Sequence, residues 1–234
     1  MSESVHLDHE TTSCLSSLAH ELKNPLTSII GFLEMLREQK MTPERQLRCL
    51  SICYEDAQRM RRMLDDIGLI DRLDHDLLHV SLGAHRFDDL LSRMVNSYAE
   101  RFPERKFSVL FEAENVIAEY DEVLLSQVLD NLLSNAVKYT ADGGIIIVKQ
   151  AVRDQRLQIS VADNGVGIAG ECIPYIFEKY YRVSNPDTCR VGGLGLGLAN
   201  TRRILEEHGG SIWVKSKAGE GTEFFFSLPL QAQL

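Results

Sequence analysis

The sequence has no long apolar run. Its longest run of apolar side chains, Ile145 to Val148, falls far short of the roughly 20 residues a helix needs to cross a bilayer, so no membrane span is expected in it. No basic region followed by an apolar stretch stands at its start, where Met1 to Glu10 is polar and acidic, so no secretion leader is expected in it. Aromatic residues make up only 7% of the chain, with the single tryptophan Trp213, yet hydrophobic residues reach 44% of the 234 positions, well above the level at which chains stay disordered. Positive charge is short as well: 25 Lys and Arg face 34 Asp and Glu, for a net charge of -9. That balance argues against a nucleic-acid partner held by bulk electrostatics, and the only basic cluster is Arg59, Arg61 and Arg62. The five cysteines (Cys14, Cys49, Cys53, Cys172, Cys189) form no CxxC pair, so reduced thiols in the cytoplasm are expected. Cys49 and Cys53 share a helical face and read as packing.

What is present divides into two halves of different periodicity. Leu15, Ala19, Leu22, Leu26, Ile29, Leu33 and Leu36 alternate steps of four and three, which is a heptad seam. Gln39 to Pro43 breaks it, with Thr42 as an N-cap ahead of a first-turn proline. A second seam runs through Leu50, Cys53, Ala57, Met60, Leu64 and Ile67 and fades near Asp71 to Asp76. Two helices cannot bury both seams alone, so the expected form is a helical hairpin that makes a four-helix bundle with a second chain. Past residue 80, helices over Phe87–Ala99 and Asp121–Tyr139 interleave with strand-like runs at Lys106–Glu112, Ile145–Val152, Leu157–Ala162, Ser211–Lys215 and Glu223–Leu228. This predicts an α/β sandwich. The expected division is a hairpin over 1–76, a hinge over 77–85, within a flexible stretch from Leu73 to His85, and a second domain over 86–234.

Within the first seam, His20 and Asn24 lie four apart on the solvent side, with Glu21 beside them. The zinc motif HExxH needs a second histidine where this chain has Asn24, so metal hydrolysis is not expected. A neutral imidazole acting as nucleophile beside a carboxylate fits better. Pro25 inside a helix removes a backbone bond at a cost of about 3 kcal/mol, which allows either a bend or a tolerated kink. The segment Ser17-Leu18-Ala19-His20-Glu21-Leu22-Lys23-Asn24-Pro25-Leu26-Thr27-Ser28-Ile29 resembles the phosphoacceptor box of sensor histidine kinases.

Four further segments follow in the order that family uses. Asn131, Asn135 and Lys138 share one helical face, suited to a magnesium ion and phosphate, with Tyr139 next to them. Asp163-Asn164-Gly165-Val166-Gly167-Ile168 follows a strand, where an aspartate can accept from the amine of adenine and glycines permit close backbone approach. Ile176 to Arg182 resembles the family's phenylalanine box, with Phe177 as core and Lys179 and Arg182 able to reach phosphate, ahead of a lid over Val183–Val191. Gly192-Gly193-Leu194-Gly195-Leu196-Gly197-Leu198 opens a helix whose bare amides suit anionic phosphate. It is neither a P-loop nor a Rossmann fingerprint. Together the boxes resemble the ATP-binding fold shared by histidine kinases, Hsp90-type chaperones, type II topoisomerases and mismatch-repair ATPases. Leu194, where many relatives carry serine or threonine, and Tyr180 in place of phenylalanine are the departures.

The resemblance implies ATP and Mg2+ as cofactors, with ATP contacts at Asn131, Asn135, Lys138, Tyr139, Asp163, Gly165, Gly167, Ile168, Lys179, Arg182, Gly193, Leu194, Gly195, Leu196 and Gly197, and magnesium at Asn135. It implies autophosphorylation of His20 aided by Glu21, transfer to an aspartate of a response-regulator receiver domain, and a phosphatase role for Asn24. The implied partners are a second copy of the chain and that regulator. Two rivals stand beside it: an ATP-driven machine of the chaperone or mismatch-repair kind, which would need a further transducer domain, and a non-catalytic phosphotransfer scaffold, which would lack box residues. A serine-kinase antagonist of transcription factors would lack the hairpin. With 19 residues ahead of His20, the chain is expected to be a cytoplasmic core without a sensor, either complete in itself or cut from a longer protein, with any membrane anchor lying in a segment absent here. His75 and His79, four apart without a clear third ligand, read as surface residues, and His6 and His9 as tail. His208-Gly209-Gly210 reads as a helix end with a glycine cap.

Overall fold

The structure, a computed structural model, describes residues 3–37, 41–75, 77–183 and 194–230, without the side chains of 3–18 and 74. Two long helices lead: α1 (Glu3–Arg37) and α2 (Pro43–Asp74). Pro43 opens α2, and Thr42 caps it by accepting from the Arg45 amide at 3.4 Å. α1 continues through Pro25, which leaves the Glu21 carbonyl without its helical donor.

Leu22, Ile29 and Leu36 of the first seam are half-buried, whereas Leu26 and Leu33 stay exposed. On α2, Cys53, Met60 and Ile67 of the expected seam are half-buried and Cys49 and Met63 beside them are buried, whereas Leu50, Ala57 and Leu64 of that seam are exposed. Each helix thus has one apolar stripe against the other and a second left open, as half of a larger bundle requires. Cys49 faces the Met41 sulfur at 3.9 Å and Cys53 the Ile29 carbonyl at 3.8 Å, both packing positions.

The second half runs β1 (Gly83–Arg86), α3 (Phe87–Arg101), β2 (Lys106–Phe111), β3 (Ile117–Tyr120), α4 (Glu122–Tyr139), β4 (Ile145–Arg153), β5 (Arg156–Asp163), α5 (Gly197–Glu207), β6 (Ser211–Lys217) and β7 (Gly221–Pro229). The main sheet has the order β2-β4-β5-β7-β6, parallel only between β2 and β4. Strict alternation puts Ile146, Val148, Leu157, Ile159, Val161, Phe224, Phe226 and Leu228 on the face that α3, α4 and α5 cover. β1 and β3 make a small antiparallel ribbon that the sequence does not announce, since each is only four residues long.

That ribbon alters the expected hinge. Residues 83–85 are already strand, and the Ser81 amide donates to Asp121 at 3.0 Å. Leu69 and Leu73, near the end of α2, are buried in the core of the second domain, and Leu78 and Val80 pack against it. Asp121 also caps α4, accepting from the Val123 and Leu124 amides, while its own N–H donates to His208 at 3.1 Å. His208 ends α5 with Gly209 at φ 65°, the left-handed cap that glycine favours.

Candidate functional site

α4 supplies one wall of a cleft of about 200 Å³. Asn131, Asn135, Lys138 and Tyr139 line it, because steps of four, three and one return to the same side of a helix. Asp163, the last residue of β5, together with Gly167 and Ile168 forms another part of the lining, and Thr222 and Phe224 of β7 a third. The rim is Ile176, Tyr181, Arg182 and Val183 on one side and Leu194, Gly195, Leu196, Gly197 and Leu198 on the other.

The electrostatics differ between the two ends. Among Ile168, Ile176 and Phe224, burial pushes the Asp163 carboxyl above the ordinary carboxylate range, against hydrogen bonds from the Gly165 and Thr222 backbones. Its Oδ1 accepts from the Gly165 N–H at 2.8 Å. This is a desolvated acceptor in an apolar slot, suited to a flat base with an amine edge. At the other end, α5 begins at Gly197 with no side-chain cap, so its first amides are unclaimed by the helix. Lys138 lines the cleft while keeping an exposed surface. Desolvation and then Arg62 lower its ammonium pKa, while Asp66 and Asp130 oppose that.

Asn135 makes no side-chain hydrogen bond among the described residues, and it stands on the same face as Lys138. An amide oxygen there fits a hydrated magnesium ion that also holds phosphate oxygens. Asn131 is differently used: its Nδ2 donates to Thr201 of α5 at 2.9 Å, and a Cβ on Gly197 would stand 2.3 Å from its Oδ1. Asn131 and Gly197 therefore seat α5 on α4 as well as lining the cleft.

Several expectations change. Gly165 does not line the cleft; a Cβ there would meet the Tyr139 carbonyl at 2.2 Å, so its bareness serves the junction of α4 with β5. Gly167, at φ 67°, is pressed against the Lys217 carbonyl in the same way. Close approach in this box is thus to protein backbone. Lys179 is exposed and outside the lining, because Tyr180 at φ 67° turns the chain and presents Tyr181, Arg182 and Val183 instead. The Tyr180 amide donates to the Gly195 carbonyl at 2.9 Å, which stitches the two rims together. Phe177 is half-buried edge-on against Phe224. Gly193, Gly192 and the lid beyond Val183 lie outside the described residues.

His20, Glu21 and Asn24 are on α1, with His20 and Asn24 exposed. Glu21 is only 16% exposed: its Oε1 accepts from Arg182 at 2.6 Å, and its Oε2 stands 3.6 Å from Arg59. Arg182, expected on phosphate, is engaged with the residue next to His20. Sequence reading also missed Asp66 of α2, which lines the cleft and accepts from Asn200 of α5 at 3.4 Å. Burial raises its carboxyl pKa. No local pattern marks Asp66, because only the docking of α2 on α5 brings it there.

Two family models match the chain: the His Kinase A (phospho-acceptor) domain over residues 11–76 and the histidine kinase-, DNA gyrase B- and HSP90-like ATPase over residues 120–232. Sensor protein kinase WalK of Staphylococcus aureus is 30% identical over 234 residues, covering 99% of this chain and 56% of that protein. The form from strain NCTC 8325 / PS 47 has the same identity, and there the chain covers 38% of its length. The chain thus spans roughly half or less of these curated relatives. Among solved structures, full-length ShkA in complex with AMPPNP is 27% identical with a TM-score of 0.70, over 94% of this chain and 46% of that one. Histidine kinase ThkA, solved in complex with response regulator protein TrrA, is 24% identical over 98% of this chain and 64% of that one, with a TM-score of 0.70, a likeness of fold. A phosphoacceptor hairpin and a nucleotide cleft of this type on one chain place it in the sensor histidine kinases, of which it carries the catalytic core.

Proposed function

We propose that the chain transfers the γ-phosphoryl group of ATP to His20 and then passes it to an aspartate on the receiver domain of a response regulator. The observation that carries this reading is one chain holding both an exposed histidine beside a carboxylate and a cleft with a desolvated carboxylate at one end and an uncapped helix N-terminus at the other. Asp163 accepts from the exocyclic amine of adenine, and Ile168, Ile176 and Phe224 enclose the ring. Lys138 and the first amides of α5 offset the phosphate charge. Asn135 would hold Mg2+, which supplies charge neutralisation at the phosphates.

A nitrogen of His20 forms the N–P bond as the bond from Pγ to the ADP oxygen breaks, and the imidazole proton passes to Glu21. Arg182 holds Oε1 of Glu21, so the more loosely held Oε2 is the oxygen that takes the proton. Asn24, one turn beyond His20 and equally exposed, orients water for hydrolysis of the phosphorylated regulator. The working unit is a homodimer joined through the hairpin, with both domains in the cytoplasm, where ATP is. Among the described residues no helix is long and apolar enough to cross a membrane. Of the expected division into 1–76, 77–85 and 86–234, we keep the hairpin as the dimerisation and phosphoacceptor unit and begin the catalytic unit at β1, so that the link shortens to residues before Gly83.

His20→Gln should abolish incorporation of acid-labile phosphate from γ-labelled ATP while ATP binding persists; labelling of that variant would overturn the assignment. Asn24→Ala should keep His20 labelling and lose dephosphorylation of the regulator, and loss of both would refute the separate role of Asn24.

A further inference from the structure

A sensor kinase dimer offers two geometries, in which a cleft serves the histidine of its own chain or that of its partner. Three contacts on this chain bear on the choice. Arg182, on the cleft rim, donates through Nη1 to Glu21 Oε1 at 2.6 Å, and Glu21 adjoins His20. Arg59, from the only basic cluster in the sequence, braces the other carboxylate oxygen from α2 at 3.6 Å. Asn200 Nδ2 donates to the Asp66 carbonyl at 3.2 Å, so α5, which opens at the phosphate end, is tied to α2. Leu69 and Leu73 anchor the end of α2 in the catalytic core beneath these contacts.

The second half is therefore docked on its own hairpin, with the rim against the turn that carries His20. This pose does not cover the open apolar stripes. With the domain docked, Leu26, Ile30, Leu33, Leu47, Leu50 and Leu64 remain exposed. A second chain can complete the bundle without displacing the cleft from its own α1.

We infer that each nucleotide cleft phosphorylates the His20 of its own chain, and that Arg182 is the positioning residue that brings the cleft rim to that histidine through Glu21. The inference rests on the proposed function and adds its geometry. A guanidinium and a carboxylate fix direction as well as distance, and misplacing the reacting groups by about 1 Å can cost on the order of 100-fold in rate.

The test is a heterodimer, purified through two different tags, of one His20→Gln chain and one Asn135→Ala chain, incubated with γ-labelled ATP. Transfer within a chain leaves this heterodimer unlabelled, because the chain with the histidine lacks a working cleft. Label on the Asn135→Ala chain overturns the inference. A heterodimer of wild type with His20→Gln must carry label; if neither it nor the wild-type homodimer does, the proposed function fails instead. In the homodimer, Arg182→Gln should lower kcat by about 10- to 100-fold while KM for ATP changes by less than about threefold, with Arg182→Lys recovering part of the rate. A rise in KM at unchanged kcat would make Arg182 a nucleotide contact and refute its positioning role.

Discussion

Asp163, the proposed adenine acceptor, works against the fold that holds it. Burial at the end of β5 raises its pKa, so ionisation is disfavoured in the folded state relative to the unfolded chain. The resulting cost is absent below the ordinary carboxylate pKa, grows as pH rises through that value, and is complete above the raised one. Asp163→Asn keeps an oxygen for the Gly165 amide and removes the charge. Without nucleotide, this variant should therefore melt at a higher temperature than the parent at neutral pH, and the gap should close as pH falls below the carboxylate range. It should also lose ATP binding. An unchanged or lower melting temperature at neutral pH would show that the carboxylate is not paying a burial penalty. Glu21 is the counterpart on the hairpin: its chemistry is readable from its place beside His20, but its two arginine partners come from other elements.

Among the elements, α2 does the most to relate the two halves. Its middle carries Arg59 toward Glu21, its next turns bring Asp66 to the cleft, and its end buries Leu69 and Leu73 under the sheet helices. The fading periodicity near Asp71 is where the helix changes partners, from α1 to the catalytic core. Leu73 is 2% exposed, so Leu73→Ala should cost about 2–5 kcal/mol in unfolding of the catalytic half, read by urea denaturation. A loss below about 1 kcal/mol would mean that this turn is not part of that core. The same burial confines freedom between the halves to the few residues between the end of α2 and the Ser81–Asp121 bond. Under the proposed function, any motion that brings His20 to a γ-phosphate must then come from bending there, with the contact of Arg182 to Glu21 kept.

At the scale of the whole molecule, the unfinished surface of the hairpin is the main feature. Leu33 is 49% and Leu50 51% exposed on a chain whose other half fully buries Leu91, Leu125, Leu129, Leu132 and Leu133. Such a stripe is not left to water when a second copy can cover it. Leu33→Glu with Leu50→Glu should convert the dimer to a folded monomer in sedimentation velocity, with the catalytic half still binding ATP. A variant that sediments as the parent dimer would place the interface elsewhere.

Local chemistry made much of this legible. Steps of four and three mark α1 and α2, alternation marks β4 and β5, and the four boxes mark the residues of the cleft from Asn131 to Gly197. These follow from near neighbours along the chain, whose side-chain directions are set by helix and strand geometry. β1 and β3 were not legible, because four residues carry too little pattern and only their pairing makes them strands. The outward turn of Lys179, the backbone contacts that require Gly165 and Gly167, the entry of Asp66 into the cleft and the grip of Arg59 and Arg182 on Glu21 were decided by tertiary structure. Each depends on surfaces far apart in sequence meeting at a fixed distance, and such meetings are set by how whole faces pack rather than by any one segment.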